Sequence, residues 1–546
     1  MAYLTQTKGG QPVLILKEGT SRNRGKEAQK NNIMAAKIIA EAIRSTLGPR
    51  GMDKMIVDSL GDITITNDGA AILDEIDVQH PAAKMIVEVA KAQDDMVGDG
   101  TTTAVVLAGE LLKMAEDLLE QNIHPTLIVE GYRKAAQKAL EVLDKISQTV
   151  DLDDKETLKK VAKTAMGSKA VGIAKEHFAE MAVNAIEQIA EKQGERWVVD
   201  IDNVQIVKKE GESLQDTNLV NGIILDKEIV HSNMPKSVKE AQIALIDVPL
   251  EVKKTEVSAQ IRINDPSQIS GFLDKETSML KNMVEKIKKT NANILISQKG
   301  IDDTAQYFLA KDGIMAVVRA KVSDMKKLSR ATDGKVVSNL DDIRSEDLGY
   351  AKLVEERKIG EDKMVFVEGC RNPKSVSILI RAGLERMVDE AERIMHDVLS
   401  VIADIYKKNK VVAGGGATET EIAKQLREYA VQIGGREQLA VEAFAKSLEI
   451  IPKTLAENAG LEQIDILVNL RSGHEKSKGY SLGVDFFSGE IVDMLKKGVI
   501  EPLNVKEQAI KSASEASTMI LRIDDVISSG KTAGPGGSSG MPPDYD

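Results

Sequence analysis

The chain has 546 residues, enough for about three or four domain-sized units. Apolar residues make up 42% and charged residues 29%, as in water-soluble globular proteins, and aromatics at 3% leave the cores to Ile, Val, Leu, Met and Ala. With 73 basic against 85 acidic side chains the net charge is −12 and no Lys/Arg block stands out, which makes nucleic acid and anionic membrane poor partners.

Cys370 is the one cysteine, so an intramolecular disulfide and a thiolate metal cage are excluded. The segment Met1 to Gly10 is polar, without the apolar stretch of a signal peptide, and no run of about 18 apolar residues occurs. The expectation is a cytoplasmic protein with no membrane insertion.

In chain order, Ile33, Ala36, Ile39, Ile43 and Leu47 fall at helical spacing, predicting a helix over 27–47 that stops at Leu47-Gly48-Pro49. Residues 62–66 alternate like a short strand and Asn67-Asp68-Gly69 signals a turn. Helical patterns follow at 82–97, 101–120 and 126–147. Residues 151–196 predict two helices, with Gly167 and Gly172 at the break.

From Trp197 to about Val376 the reading becomes mixed α/β. Strand-like runs at Trp197–Val207, Ile243–Val248, Ile294–Ser297, Ile314–Val318 and Met364–Val367 are interspersed with helical stretches at 267–289, 302–312 and 323–331. After Val376–Ile380 the chain turns helical again, at 384–408, 418–433, 436–458 with a bend at Pro452, 461–471 and 506–527. The expectation is an insertion topology, a helical domain made from both chain ends with an α/β domain between. The Gly-, Ser- and Pro-rich tail from Gly530 is expected to be disordered.

The stretch that carries most chemistry is Gly98-Asp99-Gly100-Thr101-Thr102-Thr103, which opens a helix. Its glycines admit a ligand close to the backbone, and the threonine amides at a helix N-terminus suit phosphate. Asp99 fits as a Mg2+ ligand. A plainly capped helix after a glycine turn explains the local pattern about as well. Leu47-Gly48-Pro49-Arg50-Gly51 is a rigid loop able to wrap a nucleotide, and Ala413-Gly414-Gly415-Gly416-Ala417 opens another helix with room for ribose or phosphate. Asp68 and Asp397 are candidates for orienting a water. By spacing alone a turn aspartate and a solvated helix acid are the simpler readings.

Other signals carry less. Gly530-Lys531-Thr532 lacks the first glycine of a phosphate-binding loop, with Asp525 in its place. Gly536-Gly537-Ser538-Ser539-Gly540 has no strand before it or helix after it. The histidines show no metal-ligand spacing, and Cys370 reads as a small buried hydrophobe.

Taken together, Thr46-Leu47-Gly48-Pro49-Arg50-Gly51-Met52-Asp53-Lys54-Met55, Thr66-Asn67-Asp68-Gly69-Ala70, His80-Pro81-Ala82-Ala83-Lys84, Gly98-Asp99-Gly100-Thr101-Thr102-Thr103-Ala104, Gln298-Lys299-Gly300-Ile301-Asp302-Asp303 and Ala413-Gly414-Gly415-Gly416 resemble the chaperonin (TCP-1) family from about Val13 to Ser528. The Gln298–Asp303 stretch and Leu521-Arg522-Ile523-Asp524-Asp525 resemble its group II branch, the archaeal thermosomes.

The resemblance implies a multidomain α and α/β chaperonin fold. An equatorial ATP-binding domain would span 1–150 and 407–528, and an intermediate hinge 151–219 and 370–406. An inserted α/β apical client-binding domain would span 220–369, with a helical lid protrusion near 250–282, and the tail would be 529–546. It implies a double-ring chaperone of identical or paralogous subunits that encloses unfolded protein clients and hydrolyses ATP with Mg2+. By motif, Asp99 is the metal ligand, Gly100, Thr101, Thr102 and Thr103 hold phosphates, and Asp68 and Asp397 activate water. Thr46, Leu47, Gly48 and Pro49 wrap the nucleotide, Gly415 and Glu501 face ribose or base, and Lys169 senses the terminal phosphate.

The chain departs from the family pattern at three places. Arg50 stands where Lys is common, His396 stands where an acid often precedes the aspartate, and the tail lacks long Gly-Met repeats. An ATP-regulated structural or filament-forming ring without folding activity is the alternative, and a small-molecule kinase finds no acceptor pocket in the sequence.

Overall fold

The computed structural model describes residues 3–6, 12–15, 20–58, 60–169, 171–194, 196–252, 266–370, 374–476 and 479–529. The tail from 530 onward and much of the segment read as a protrusion (253–265) lie outside the described residues.

The N-terminal stretch folds into α1 (Gly25–Arg44), α2 (Gly69–Glu75), α3 (Pro81–Val97), α4 (Thr101–Glu120) and α5 (Pro125–Ile146). A hairpin of Lys54–Val57 on Ile63–Thr66 lies between α1 and α2. Helices α6 (Lys155–Ala165) and α7 (Lys175–Ile189) follow. Within the middle α/β region are α8 (Pro266–Lys289), α9 (Asp303–Lys311) and α10 (Val322–Thr332). The chain then runs through α11 (Glu385–Lys407), α12 (Ala417–Ile433), α13 (Gly435–Leu448), α14 (Ile450–Asn458), α15 (Gln463–His474), α16 (Met494–Lys497) and α17 (Leu503–Leu521).

One core joins the two chain ends. Ile33 of α1, Ile86 of α3, Leu111 of α4 and Tyr132 of α5 pack with Leu426 of α12, Phe444 of α13 and Ile510 of α17. Tyr132 meets Phe444 edge to face with ring centroids 5.6 Å apart. At the rim, strand Thr20–Arg24 pairs antiparallel with Asp525–Ser529. A second core holds α6, α7 and α11 against Val376–Ala382, which pairs in parallel with Val204–Glu210.

The middle region is a mixed sheet in the order Gly222–Leu225, Asp362–Cys370, Gly349–Ile359, Ser237–Ile246, Ile294–Ser297, Met315–Val317. Its strands alternate faces. Ile243, Leu245, Ile294 and Ile296 meet Met325 and Leu328 of α10, while Ala244, Ile246 and Leu295 meet Val284 and Ile287 of α8 and Leu309 of α9. This is the helical and α/β architecture expected from the sequence.

Three local readings need correction. The helix expected over 506–527 ends at Leu521, because Asp525–Ser529 is drawn into a strand by a partner some 500 residues away, roughly the whole chain. The helix expected over 436–458 breaks at Glu449 rather than bending at Pro452. Pro452 lies in the first turn of α14, where a missing N–H leaves no hydrogen bond unmade. The run Trp197–Val207 is two strands, Arg196–Val198 and Val204–Glu210, parted by a 3-10 turn at Ile201–Asn203.

Candidate functional site

Three separated parts of the chain meet around a cavity of about 580 Å3. From the N-terminal part come Thr46, Leu47, Gly48, Pro49, Asp68, Asp99, Gly100, Thr101, Thr102 and Thr103. From the segment after α6 comes Lys169, and from the C-terminal part come Gly415 and Glu501. Of the candidate site residues only Asp397 is outside this lining, and it is ion-paired with Lys169.

The floor is the turn between α3 and α4. Gly98 ends α3 in the left-handed conformation and Gly100, at φ +77°, precedes α4. A Cβ on Gly100 would come within 2.8 Å of Val505 Cγ1, so both its backbone angle and its space require glycine. No side chain caps α4. Its first intrahelical bond is from Ala104 N to Gly100 O at 2.9 Å, so the amides of Thr101, Thr102 and Thr103 have no acceptor within the helix. An uncapped N-terminus of a 20-residue helix, carrying the positive end of its dipole into a cavity, suits an anion. Gln93 braces the turn by donating to Asp99 O at 2.8 Å and to Val505 O at 3.1 Å.

Asp99 Oδ1 accepts the Gly100 N–H at 2.6 Å. Asp68 begins α2, where its Oδ2 accepts from Ala71 N at 2.8 Å while its Oδ1 accepts from the Thr101 hydroxyl at 3.3 Å. One residue earlier, the Asn67 amide donates to Ser168 O. The neighbouring Lys169 ion-pairs with Asp397 of α11, and both side chains are nearly buried.

Electrostatics here are crowded, with several acids around one cation. Burial opposes the charge on Lys169, but Asp397, Asp68 and Asp99 outweigh it and hold the ammonium above its ordinary value. Burial pushes Asp397 well above the carboxylate range, with Lys169 pulling the other way. Asp99 is raised by burial too, against Lys169 and the Gly100 N–H. Asp94, a turn earlier on α3, is raised to about 6 by burial and by Asp68. Lys169 therefore stays protonated while the acids compete for it.

The walls come from elsewhere in the sequence. Leu47 packs with Val106, Ile450 and Ile451, and Asn458 of α14 donates to Leu47 O at 2.8 Å, which clamps the Thr46–Pro49 loop. Arg50 lies over the Phe487 ring at 5.6 Å. Gly415 O accepts from Val484 N at 3.0 Å, and strand Lys410–Ala413 sets Val412 beside Glu501. Sequence reasoning missed Lys160, Lys163 and Thr164 of α6, Lys175, Phe486, Phe487, Lys497 and Lys506, all of which line the cavity. Lys506 did leave a signal. A lysine in the first turn of a helix runs against the helix dipole unless an acid pairs with it.

The donor set fits a magnesium nucleotide. Among the described residues no cluster of three or more His, Cys, Asp or Glu could hold a metal alone. Mg2+ carried on phosphates needs only one or two carboxylates, and Asp99 stands beside the uncapped amides. No helix among the described residues is long and apolar enough to cross a membrane.

Comparison with known proteins gives a concordant result. The TCP-1/cpn60 chaperonin family matches residues 39–531. Thermosome subunit beta of Sulfolobus acidocaldarius is 59% identical over 97% of this chain and 96% of its own. Thermosome subunit beta of Thermococcus kodakarensis is 58% identical over 98% and 99%, and thermosome subunit alpha of Archaeoglobus fulgidus is 58% identical over 98% and 98%.

Proposed function

The chain belongs to the TCP-1/cpn60 chaperonin family, and on that premise we propose that it is an ATP-hydrolysing subunit of a cytoplasmic double-ring group II chaperonin that encloses unfolded proteins. The observation that carries the reading is the convergence of the uncapped α4 N-terminus, Asp99 and the Lys169–Asp397 pair on one cavity. Thr101, Thr102 and Thr103 hold phosphate oxygens through their free amides. Asp99 would hold Mg2+, which would supply charge to neutralise the phosphates.

Lys169 has two possible partners, Asp397 and the terminal phosphate. Turning to the phosphate releases the Asp397 carboxylate, which with Asp68 orients a water and takes its proton as the water oxygen bonds to the terminal phosphorus and the bond from that phosphorus to its bridging oxygen breaks, with the nucleoside diphosphate as leaving group. After the phosphate leaves, Lys169 returns to Asp397. Because Lys169 follows α6 and Asp397 lies on α11, each turnover pulls on the second core, which we read as the hinge (151–219 and 370–406) between the nucleotide lobe (1–150 and 407–528) and the client-binding sheet (220–369). Partners in this reading are unfolded clients and identical or paralogous subunits.

The test is ATP-dependent refolding of a chemically denatured enzyme by the protein and by Asp397→Ala. Recovery with the protein and none with the variant is expected. Equal recovery by both removes Asp397 from the cycle, and no recovery by either despite ATP turnover refutes the folding activity.

A further inference from the structure

A buried histidine ties the glycine loop to the wall that faces it. The strand Leu482–Asp485 runs into Phe486 and Phe487, and from Val484 onward these residues line the cavity. Among the described residues the strand pairs with Glu490–Asp493 alone. Val484 and Phe486 pack on Ala456 of α14 and Leu470 of α15. Apolar contact is non-directional. It sets how deep the strand lies and leaves its position along its own axis to hydrogen bonds.

Val484 N–H donates to Gly415 O at 3.0 Å. His474, the last residue of α15, has Nε2 2.8 Å from Leu482 O. A carbonyl oxygen only accepts, so Nε2 carries the hydrogen. The other ring nitrogen, Nδ1, is 2.9 Å from Oε2 of Glu421, in the second turn of the helix that the glycine loop opens. Between the two bonds, Gly483 lies against that loop, where a Cβ would stand 2.8 Å from Gly414 O and 2.9 Å from Gly415 O. The contacts close a circuit, from Gly415 along α12 to Glu421, through His474 to Leu482, and by Val484 back to Gly415.

His474 and Glu421 are both buried. Burial opposes the charge on Glu421, but His474, Gln425 and Lys424 outweigh it and hold the carboxyl below its ordinary value. Lys424 also donates to His474 O at 2.6 Å. A buried polar pair can be matched in stability by apolar side chains of the same shape. An apolar pair could not set the register of a strand beside the cavity. Resting on the reading of this cavity as a nucleotide site, we propose that His474 is a positioning residue. By donating from Nε2 to Leu482 O it keeps the wall in register with the glycine loop and so slows the release of bound nucleotide.

The experiment follows release of a fluorescent ATP analogue by stopped flow, together with Tm, in the full chain and its variants. In His474→Gln the side-chain amide reaches the place of Nε2 and can donate to Leu482 O. In His474→Asn it reaches only the place of Nδ1 and keeps the Glu421 contact. Loss of one hydrogen bond predicts release about five- to tenfold faster from His474→Asn, and within about twofold of native from His474→Gln. A merely structural role changes release alike in both, or lowers Tm and leaves release unchanged. Either result overturns the proposal.

Glu421→Gln keeps a partner for Nδ1 and Glu421→Ala removes it, so native release is expected from the first and faster release from the second. Should His474→Asn fail to fold, this pair decides, and equal release from the two overturns the proposal. ATP bound by the native protein with release unchanged in every variant overturns this inference and leaves the site reading standing. No ATP binding by the native protein overturns both.

Discussion

The Asn67 side chain donates to the carbonyl of Ser168 and so joins the turn that presents Asp68 to the loop that presents Lys169. The two residues lie 101 positions apart. Their bond sets the distance between one candidate water-orienting acid and the cation that pairs with the other. Asn67→Ala removes that link from a nearly buried site. Loss of such a bond is worth about 1–3 kcal/mol, and it is expected to lower the rate of ATP hydrolysis by about tenfold or more with a smaller change in nucleotide affinity, read as a split between kcat and Kd.

Lys169→Met leaves Asp397 buried without its cation. Breaking a buried pair from one side destabilises by about 3–5 kcal/mol. The expected result is a lowered Tm and no hydrolysis. Adding Asp397→Asn restores much of the Tm, because the stranded charge is gone, and restores no hydrolysis. Thermal unfolding of both variants checks the first effect and phosphate release the second.

Asp94 gives a pH dependence. Its carboxyl is raised to about 6, first by burial and then by Asp68. A raised acid holds its proton more tightly in the folded chain. Its stabilising contribution is therefore complete below the ordinary carboxylate range and is lost as pH climbs through about 6. Asp94→Asn is expected to unfold at a higher temperature than the native chain at pH 8, by about 1–2 kcal/mol in stability once solvent screening is allowed for, and to match it near pH 4. Nucleotide-free thermal melts at the two pH values decide it.

Arg50, next to the Thr46–Pro49 loop, lies over the ring of Phe487 at 5.6 Å and donates to Ala459 O at 3.4 Å. An exposed cation–π contact is worth about 0.5–1 kcal/mol. Arg50→Ala is expected to speed nucleotide release by about two- to fivefold, measured by stopped-flow displacement of a fluorescent ATP analogue.

Much of the helical frame was legible because its signals are local. Gly98 and Gly100 bracket the start of α4, and the apolar spacing from Ala104 to Leu118 fixes its length at Thr101–Glu120. The strand Ile63–Thr66 and the turn at Asn67-Asp68 were equally plain. Strands with distant partners were not. Asp525–Ser529 keeps helical spacing with Ile520 and Leu521, and only its pairing with Thr20–Arg24 makes it a strand. The same limit hid the walls of the cavity. Lys160 and Phe487 look ordinary in their own segments, and the surface they share with Lys506 depends on packing between segments hundreds of residues apart. Asp397 was named through family resemblance, since its spacing on α11 matches any helix acid.

The core shared by the two chain ends has a consequence for synthesis. Helices α1, α3, α4 and α5 bury their apolar faces partly against α17, which ends at Leu521 of a 546-residue chain. At ribosomal speeds of about 5–20 residues per second, those faces wait on the order of tens of seconds for their last partner. A nascent chain with such remote contacts folds late and is exposed to aggregation meanwhile. A subunit of this architecture is thus, while being translated, itself in need of a chaperone.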